Sequence, residues 1–195
     1  MFVKNKIESD SLIQKLNLNR IIENYFKKNE IEKLKHFLIQ NPCSYYNIRD
    51  KSSPMGRFLY KLTPDEVLAQ AEKYDFFSVC ESLAEADKTL VLQGEILITE
   101  DYKIIASLSD IKGISNRQAM QSPEYRFEAE MIYNPYLKKE EKPWSKIPDV
   151  RGLNTVIDYL FPYELIGVIV EFSLFDIPVG TKKENIIIWE LRTNY

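Results

Sequence analysis

Hydrophobic positions in the first 40 residues recur with a helical period. Ser11 or Asp10 can cap a first segment. Asn41-Pro42 ends the last one, because the residue before a proline is disfavoured in the α region. The pattern predicts an N-terminal helical segment over residues 1–42. The apolar positions that set this period are Ile21, Ile22, Tyr25, Phe26, Ile31, Leu34, Phe37 and Leu38.

From residue 45 onward the hydrophobic period changes to two, which is typical of β-strands. Turn-forming residues at 51–56 separate the first two runs and predict a hairpin. Residues 99–101 form a similarly short link between two later runs. The alternation predicts strands at 45–49, 57–62, 77–83, 89–98, 102–108, 125–133, 166–175 and 185–193.

Helices are predicted between these strands. Thr63, Pro64 and Glu66 form a capping box with proline at the first helical position, which starts a helix that runs to about residue 73. Shorter helices are expected near 116–120 and 154–160. Residues 134–151 hold three prolines among mixed charges and predict a loop, which is either a lid or binding segment or a disordered connection.

Strands that are grouped together, with short antiparallel links and helices before and between them, predict an α+β fold. We expect N-terminal helices followed by a mainly antiparallel sheet with packed helices. The predicted organisation is a helical segment at 1–42 and an α+β sheet domain at 43–195, packed together as one compact unit.

The composition narrows the class of protein. The longest apolar run covers residues 165–170, far below the roughly 20 residues that a bilayer requires, so no membrane span is expected. The first eight residues lack the apolar region of a secretory signal, and the 2 cysteines do not form a disulfide framework. These features predict a cytoplasmic protein.

The number and distribution of charged side chains indicate which class of binding partner is expected. The 195 residues carry 26 basic and 29 acidic side chains, and the basic ones form no stripe of the kind that contacts a phosphate backbone. Nucleic acid is therefore not the expected partner. A small molecule or another protein stays open.

Strand alternation places several polar side chains on common faces. Gln93 and Glu95 share one face of the strand at 89–98, and Glu190 and Arg192 share one face of the last strand. If the last two strands pair, Glu171, Glu190 and Arg192 can line one patch. Two carboxylates so placed suit Mg²⁺, and the arginine suits a phosphoryl group. The alternative interpretation is an ion-pair ladder on a solvated face.

Lys182 belongs to the connection between these two strands, residues 176–184. That connection also contains a proline, a glycine and a second lysine. Its composition predicts a mobile loop near phosphate, with Lys182 as a cofactor-binding residue.

Two segments carry a family resemblance. Val170-Glu171-Phe172, followed after a short loop by residues 186–192, resembles the closing strands of the ATP-grasp nucleotide domain of pyruvate phosphate dikinase and phosphoenolpyruvate synthase. Residues 48–58 are similar to the arginine-serine stretch of that family, and residues 90–95 resemble the segment that passes the adenine pocket.

The resemblance implies a set of roles. Glu171 would be a metal-site or phosphate-site acid, and Glu190 would stand in for the family's glutamine. The hypothesis of an MgATP site makes both of them metal ligands. Arg49 and Arg192 would be catalytic residues that contact phosphate. Gln93 and Glu95 would lie beside the base. ATP and Mg²⁺ are the implied cofactors.

The chain also departs from the family pattern. Ile169 stands where the family has an aspartate, Glu190 replaces a glutamine, and Asp50 replaces a serine. The Gly-Lys opening of the family's domain is absent, and a chain of 195 residues cannot hold the additional domains of a complete dikinase.

Two functional hypotheses follow. The first is an ATP-grasp-like protein that binds MgATP and an unknown small-molecule substrate, and transfers a phosphoryl group or activates a carboxylate. The alternative is a noncatalytic protein-interaction module, in which the N-terminal helices or the Pro-rich loop around Trp144 bind another protein.

Overall fold

The computed structural model describes residue 3 and residues 6–52, 56–101, 103–113, 116–130 and 150–193. The chain divides into two units. Unit 1 comprises Met1–Arg20 and Thr89–Tyr195, and unit 2 comprises Ile21–Lys88. The division at residue 42 stays a prediction.

Along the described residues, α-helices are interspersed with single strands and with runs of two or three strands. The α-helices are α1 Lys6–Lys15, α2 Ile31–Gln40, α3 Pro64–Ala71, α4 Asn116–Gln121 and α5 Leu153–Leu160. The strands are β1 Asn24–Lys27, β2 Tyr46–Asp50, β3 Phe58–Leu62, β4 Phe76–Glu81, β5 Leu90–Ile98, β6 Lys103–Ser109, β7 Tyr125–Glu130, β8 Val168–Val179 and β9 Glu184–Thr193. Single 3₁₀ turns lie at Lys28–Glu30, Ala86–Thr89 and Phe161–Tyr163.

Unit 2 is a four-stranded antiparallel sheet in the order β1-β4-β2-β3 with two helices, α2 and α3. Helix α3 begins as predicted, because the Thr63 hydroxyl accepts from the Glu66 N–H and the Glu66 carboxylate accepts from the Thr63 N–H at 2.8 Å. The helices and the sheet share a core that includes Leu34, Val67 and Phe77.

The helix predicted at residues 21–26 is wrong, because the structure has strand β1 there. We expected residues 21–26 to be helical, but Asn24–Lys27 is a strand paired with β4. Phe26 is buried opposite Phe77, whereas its neighbour Tyr25 points outward. A pattern of four apolar residues at i, i+1, i+4 and i+5 is compatible with a short strand as well as with a helix. Pairing with β4 selects the strand.

Unit 1 is built on a five-stranded antiparallel sheet in the order β7-β6-β5-β8-β9. One face carries the core of the unit, where side chains of α1 and α5 pack on the strands. The opposite face contains the polar residues of β5, β8 and β9. Core residues from this sheet and its helices include Ile13, Leu92, Ile96, Ile104, Leu108, Val156, Ile157, Leu160, Val170, Phe172, Ile188 and Leu191.

The N-terminal segment covers the outer edge of β9. The Leu191 N–H donates to the buried Ser9 hydroxyl at 2.7 Å, and the Ile188 N–H donates to the Asn19 carbonyl at 2.9 Å. Val3 and Thr193 are also hydrogen-bonded to each other. An unpaired strand edge is a site of aggregation, so these bonds protect the sheet.

The α+β class with mainly antiparallel sheets is therefore confirmed. Every predicted strand from residue 45 onward appears, with bounds shifted by a few residues. No helix in the described ranges is long and apolar enough to cross a membrane. The predicted loop at 134–151, apart from its last two residues, and the end of the strand predicted at 125–133 lie outside the described residues, as does the tip of the β2–β3 turn.

Candidate functional site

A row of polar side chains crosses the five-stranded sheet on the face away from its core. Glu95 on β5 lies directly opposite Glu171 on β8, which in turn lies opposite Glu190 on β9. The row continues in the other direction through Ser107 on β6 to Arg126 on β7. Directly opposite residues in antiparallel strands have Cβ atoms about 5 Å apart, so the three carboxylates are neighbours.

A β-bulge in β9 turns Glu190 and Arg192 onto this face. Phe172 pairs with Ile188, but Glu171 pairs with Glu190, so Trp189 is an extra residue in the register. Strict alternation, which the sequence analysis assumed, would have kept Glu190 and Arg192 on the same face as Ile188, and Ile188 is in the core. The bulge corrects that assignment.

The Trp189 indole fixes the bulge. Its Nε1 donates to the Ser173 Oγ atom at 2.9 Å, and Ser173 is buried on the neighbouring strand β8. Neither Trp189 nor Ser173 was predicted as a site residue from the sequence. A tryptophan followed by charged residues in an otherwise apolar strand was the only available signal.

Arg192 forms an ion pair with Glu95. Its Nη2 atom donates to the Glu95 Oε1 atom, although Arg192 is on β9, Glu95 is on β5, and β8 lies between these strands. The side chains are 38% and 20% exposed, so the pair is partly shielded from water. Burial lowers the pKa of the Arg192 guanidinium from its ordinary value.

The chemistry of these donors suits a hard cation. Mg²⁺ is usually bound by one or two carboxylates, with substrate phosphates and water supplying the other oxygens. Glu171 and Glu190 provide two facing carboxylates. Within the described ranges, no group of three or more His, Cys, Asp or Glu side chains is arranged to hold a metal by itself. The residues therefore fit Mg²⁺ that arrives with a phosphate ligand.

Gln93 is on the same face as Glu95 but in a different environment. It is only 4% exposed, and its Nε2 atom donates to the Ile111 carbonyl at 3.2 Å. Ser173 and Ser109 lie directly opposite it on the adjacent strands, and both are buried. A contact from Gln93 to a nucleotide base stays a prediction.

Lys182 lies far from the carboxylate row. It follows Val179 at the tip of the β8–β9 hairpin, and Val179 is eight residues from Glu171, or roughly 25 Å along an extended strand. The Lys182 ammonium pairs with Glu184 at 2.9 Å, and this hydrogen bond raises the pKa of Lys182. The structure does not bring Lys182 together with Glu171, Glu190 and Arg192. Its binding role stays a prediction.

The turn that carries Lys182 is held by a buried asparagine. Asn19 Nδ2 donates to the carbonyls of Val179 and Ile186 at 2.8 and 2.7 Å. Its Oδ1 accepts from the Lys182 N–H at 2.8 Å. The predicted mobile loop is thus a turn with specific bonds. The sequence analysis missed Asn19, since an asparagine between two predicted helices carries no distinguishing signal.

Arg49 lies in unit 2 on the central strand β2. Its neighbours on either side are Ser78 on β4 and Phe58 on β3. The Arg49 guanidinium lies over the Phe58 ring, 4.9 Å from the ring centre. Stacking on an aromatic ring leaves the edge of a guanidinium, which carries its N–H donors, available to an anion.

No protein-family model matches the chain, and no curated protein matches it in sequence. Some solved structures are similar to it in fold. For D-alanyl-alanine synthetase A from Vibrio cholerae, the TM-score is 0.47 and the identity 14%, over 97% of this chain and 54% of that one. For the macrocyclase MdnC from Microcystis aeruginosa, the values are 0.46 and 14%, over 93% and 50%.

A third similar structure is the N5-carboxyaminoimidazole synthase from Aspergillus clavatus, with a TM-score of 0.45 and 11% identity, over 97% of this chain and 44% of that one. The chain spans about half the length of these three proteins. These similarities are weak in both sequence and structure.

Proposed function

We propose that the polar face of the five-stranded sheet binds the phosphates of MgATP. The observation that carries the proposal is the strand register, which sets Glu171 opposite Glu190 and brings Arg192 onto the same face. Two carboxylates and a guanidinium on one rigid sheet are the groups that recognise a magnesium-bound phosphate. The resemblance of residues 170–172 and 186–192 to the closing strands of an ATP-grasp domain supports the same assignment.

In this proposal Glu171 and Glu190 hold Mg²⁺, while Arg192 contacts phosphate oxygens. Arg49 lies in unit 2, and its phosphate contact stays a prediction. Bound Mg²⁺ would neutralise charge on the phosphates. Arginine suits the remaining contacts, because its planar guanidinium matches the geometry of phosphate and stays charged. Lys182 and Gln93 have no part in the proposal, and their roles stay predictions.

The reaction class follows from the ligand. A protein that holds the terminal phosphate of ATP between Mg²⁺ and arginine can transfer that phosphoryl group to a substrate, or activate a carboxylate as an acyl phosphate. We propose one of these two reactions, in the cytoplasm, with a small-molecule substrate.

The first test measures nucleotide binding. The full chain should bind MgATP in calorimetric titration, and Arg192→Ala should weaken that binding roughly 10- to 100-fold, because a hydrogen bond between charged groups is lost. Arg151→Ala is the matched control, since Arg151 belongs to the same unit but is exposed and pairs with Asp176. Absence of heat with millimolar MgATP, or equal affinity in Arg192→Ala, would contradict the proposal.

The second test concerns the metal. ATP affinity should be higher with Mg²⁺ than with a chelator, and Glu171→Gln or Glu190→Gln should remove most of that difference, because an amide oxygen is a poorer Mg²⁺ ligand than a carboxylate. The control is Glu128→Gln, a carboxylate on β7 that pairs with Lys103. If both glutamine variants kept the full Mg²⁺ dependence, the two carboxylates would not be the metal ligands.

A further inference from the structure

The Arg192–Glu95 ion pair spans an intervening strand. Neighbouring strands are about 4.8 Å apart, so the two backbones are separated by roughly 10 Å. Ile169 on β8 is directly opposite Arg192 and lies between the partners. The Arg192 side chain must therefore lie across β8 to reach Glu95, next to the row that contains Glu171 and Glu190.

We propose that Glu95 is a positioning residue that holds Arg192 across β8 before a nucleotide binds. This inference rests on the function proposed above. It gives Glu95 a role different from the contact beside the base that the sequence resemblance implied. A phosphate that approaches the Glu171–Glu190 pair then meets a guanidinium that is already in place.

The conformational entropy of the arginine side chain explains why a positioning residue would favour ligand binding. A free arginine samples many rotamers, and a ligand that fixes it must overcome that loss of freedom. In the folded protein, the contact with Glu95 already restricts the rotamers of Arg192 before a ligand binds. Glu95 can do so because it lies on the central strand β5 and is itself only 20% exposed. A partly exposed ion pair adds little to stability, so positioning is a better explanation for this pair than stabilisation of the fold.

Arg192 can donate hydrogen bonds to Glu95 and to a phosphate at the same time. A guanidinium has five N–H donors in a planar fork, and the contact with Glu95 is made through Nη2. The other donors can reach a phosphate oxygen without breaking the pair.

The experiment compares two substitutions at Glu95 in the full chain, with MgATP as the probe. Glu95→Ala should weaken MgATP binding about tenfold, since Arg192 is then no longer ordered in advance. Glu95→Gln should restore affinity to within about threefold of the wild type, because the amide oxygen still accepts from Nη2. Glu128→Ala, on the same face at β7, should bind as the wild type does.

A second readout needs no nucleotide. ¹⁵N relaxation of the Arg192 Nε–H group should show a restrained side chain in the wild type and in Glu95→Gln, and a mobile one in Glu95→Ala. Equal mobility in all three proteins would overturn the inference, as would Glu95→Ala that binds MgATP as tightly as the wild type. If the wild type did not bind MgATP, the proposed function would fail, and the relaxation data would still decide whether Glu95 orders Arg192.

Discussion

Replacing Asn19 with alanine should lower the free energy of unfolding of unit 1 by about 3–5 kcal/mol, which is among the largest effects of a single substitution. Both tryptophans fall between residues 89 and 195, so the loss can be followed by tryptophan fluorescence during thermal unfolding. We expect the midpoint to fall by roughly 10 °C.

The size of this effect comes from burial. Asn19 is completely buried, and its side-chain amide and carbonyl groups bond to backbone groups of the β8–β9 hairpin. Alanine would leave the carbonyls of Val179 and Ile186 and the N–H of Lys182 without those partners. Each buried backbone group that loses its hydrogen bond costs about 1–3 kcal/mol.

A matched pair of variants separates hydrogen bonding from size. Asn19→Asp keeps the shape but turns carboxylate oxygens toward the carbonyls of Val179 and Ile186, so it should destabilise the unit at least as much as alanine. Asn185→Ala removes one bond from an exposed residue, the 2.9 Å contact with the Phe175 carbonyl, and should cost about 1 kcal/mol or less. An unfolding midpoint unchanged in Asn19→Ala would refute this role.

The strands could be predicted because their hydrophobic period is long and regular. Residues 89–98 and 166–175 alternate over a whole strand, and the structure has β5 and β8 at those places. The structure of residues 21–26 could not be predicted in this way, since four apolar positions in a short run fit both a helical and a strand period. The choice depended on Phe77, about 50 residues away, and local pattern contains no information about such a partner.

The carboxylate row could be predicted only in part. Alternation placed Gln93 with Glu95, whereas the patch of Glu171, Glu190 and Arg192 was conditional on the pairing of the last two strands. The bulge at Trp189 was not predicted, and a shift of one residue moves every later side chain to the opposite face. Glu190 and Arg192 thus reach the same face as Glu171 through a feature of the backbone that alternation does not reveal.

The contacts of the individual site residues could not be predicted from the sequence, for a different reason. Glu95 and Arg192 are 97 positions apart, and their bond depends on the strand order that places β8 between them. Asn19 likewise bonds to a turn more than 150 residues later. Each of these residues is an ordinary polar residue in its own neighbourhood, and only the folded chain shows what it contacts.

Gly94→Ala should destabilise unit 1 by about 3 kcal/mol or more, because it combines backbone strain with a steric clash. Gly94 lies in the central strand β5 between Gln93 and Glu95, with a φ of 141°, which side chains rarely permit. A Cβ atom there would lie 2.2 Å from the Ser107 carbonyl oxygen and 3.0 Å from the α-carbon of Leu108. Both are backbone atoms of the paired strand β6, so neither can rotate away.

Gly113→Ala is the control for this prediction. Gly113 also has a positive φ, 78°, but a Cβ atom would meet nothing within 4 Å, so only strain of about 1 kcal/mol is expected. The difference between the two variants, measured by denaturant unfolding with tryptophan fluorescence, reports the clash with β6. Equal losses in the two would show that β5 can move away from β6.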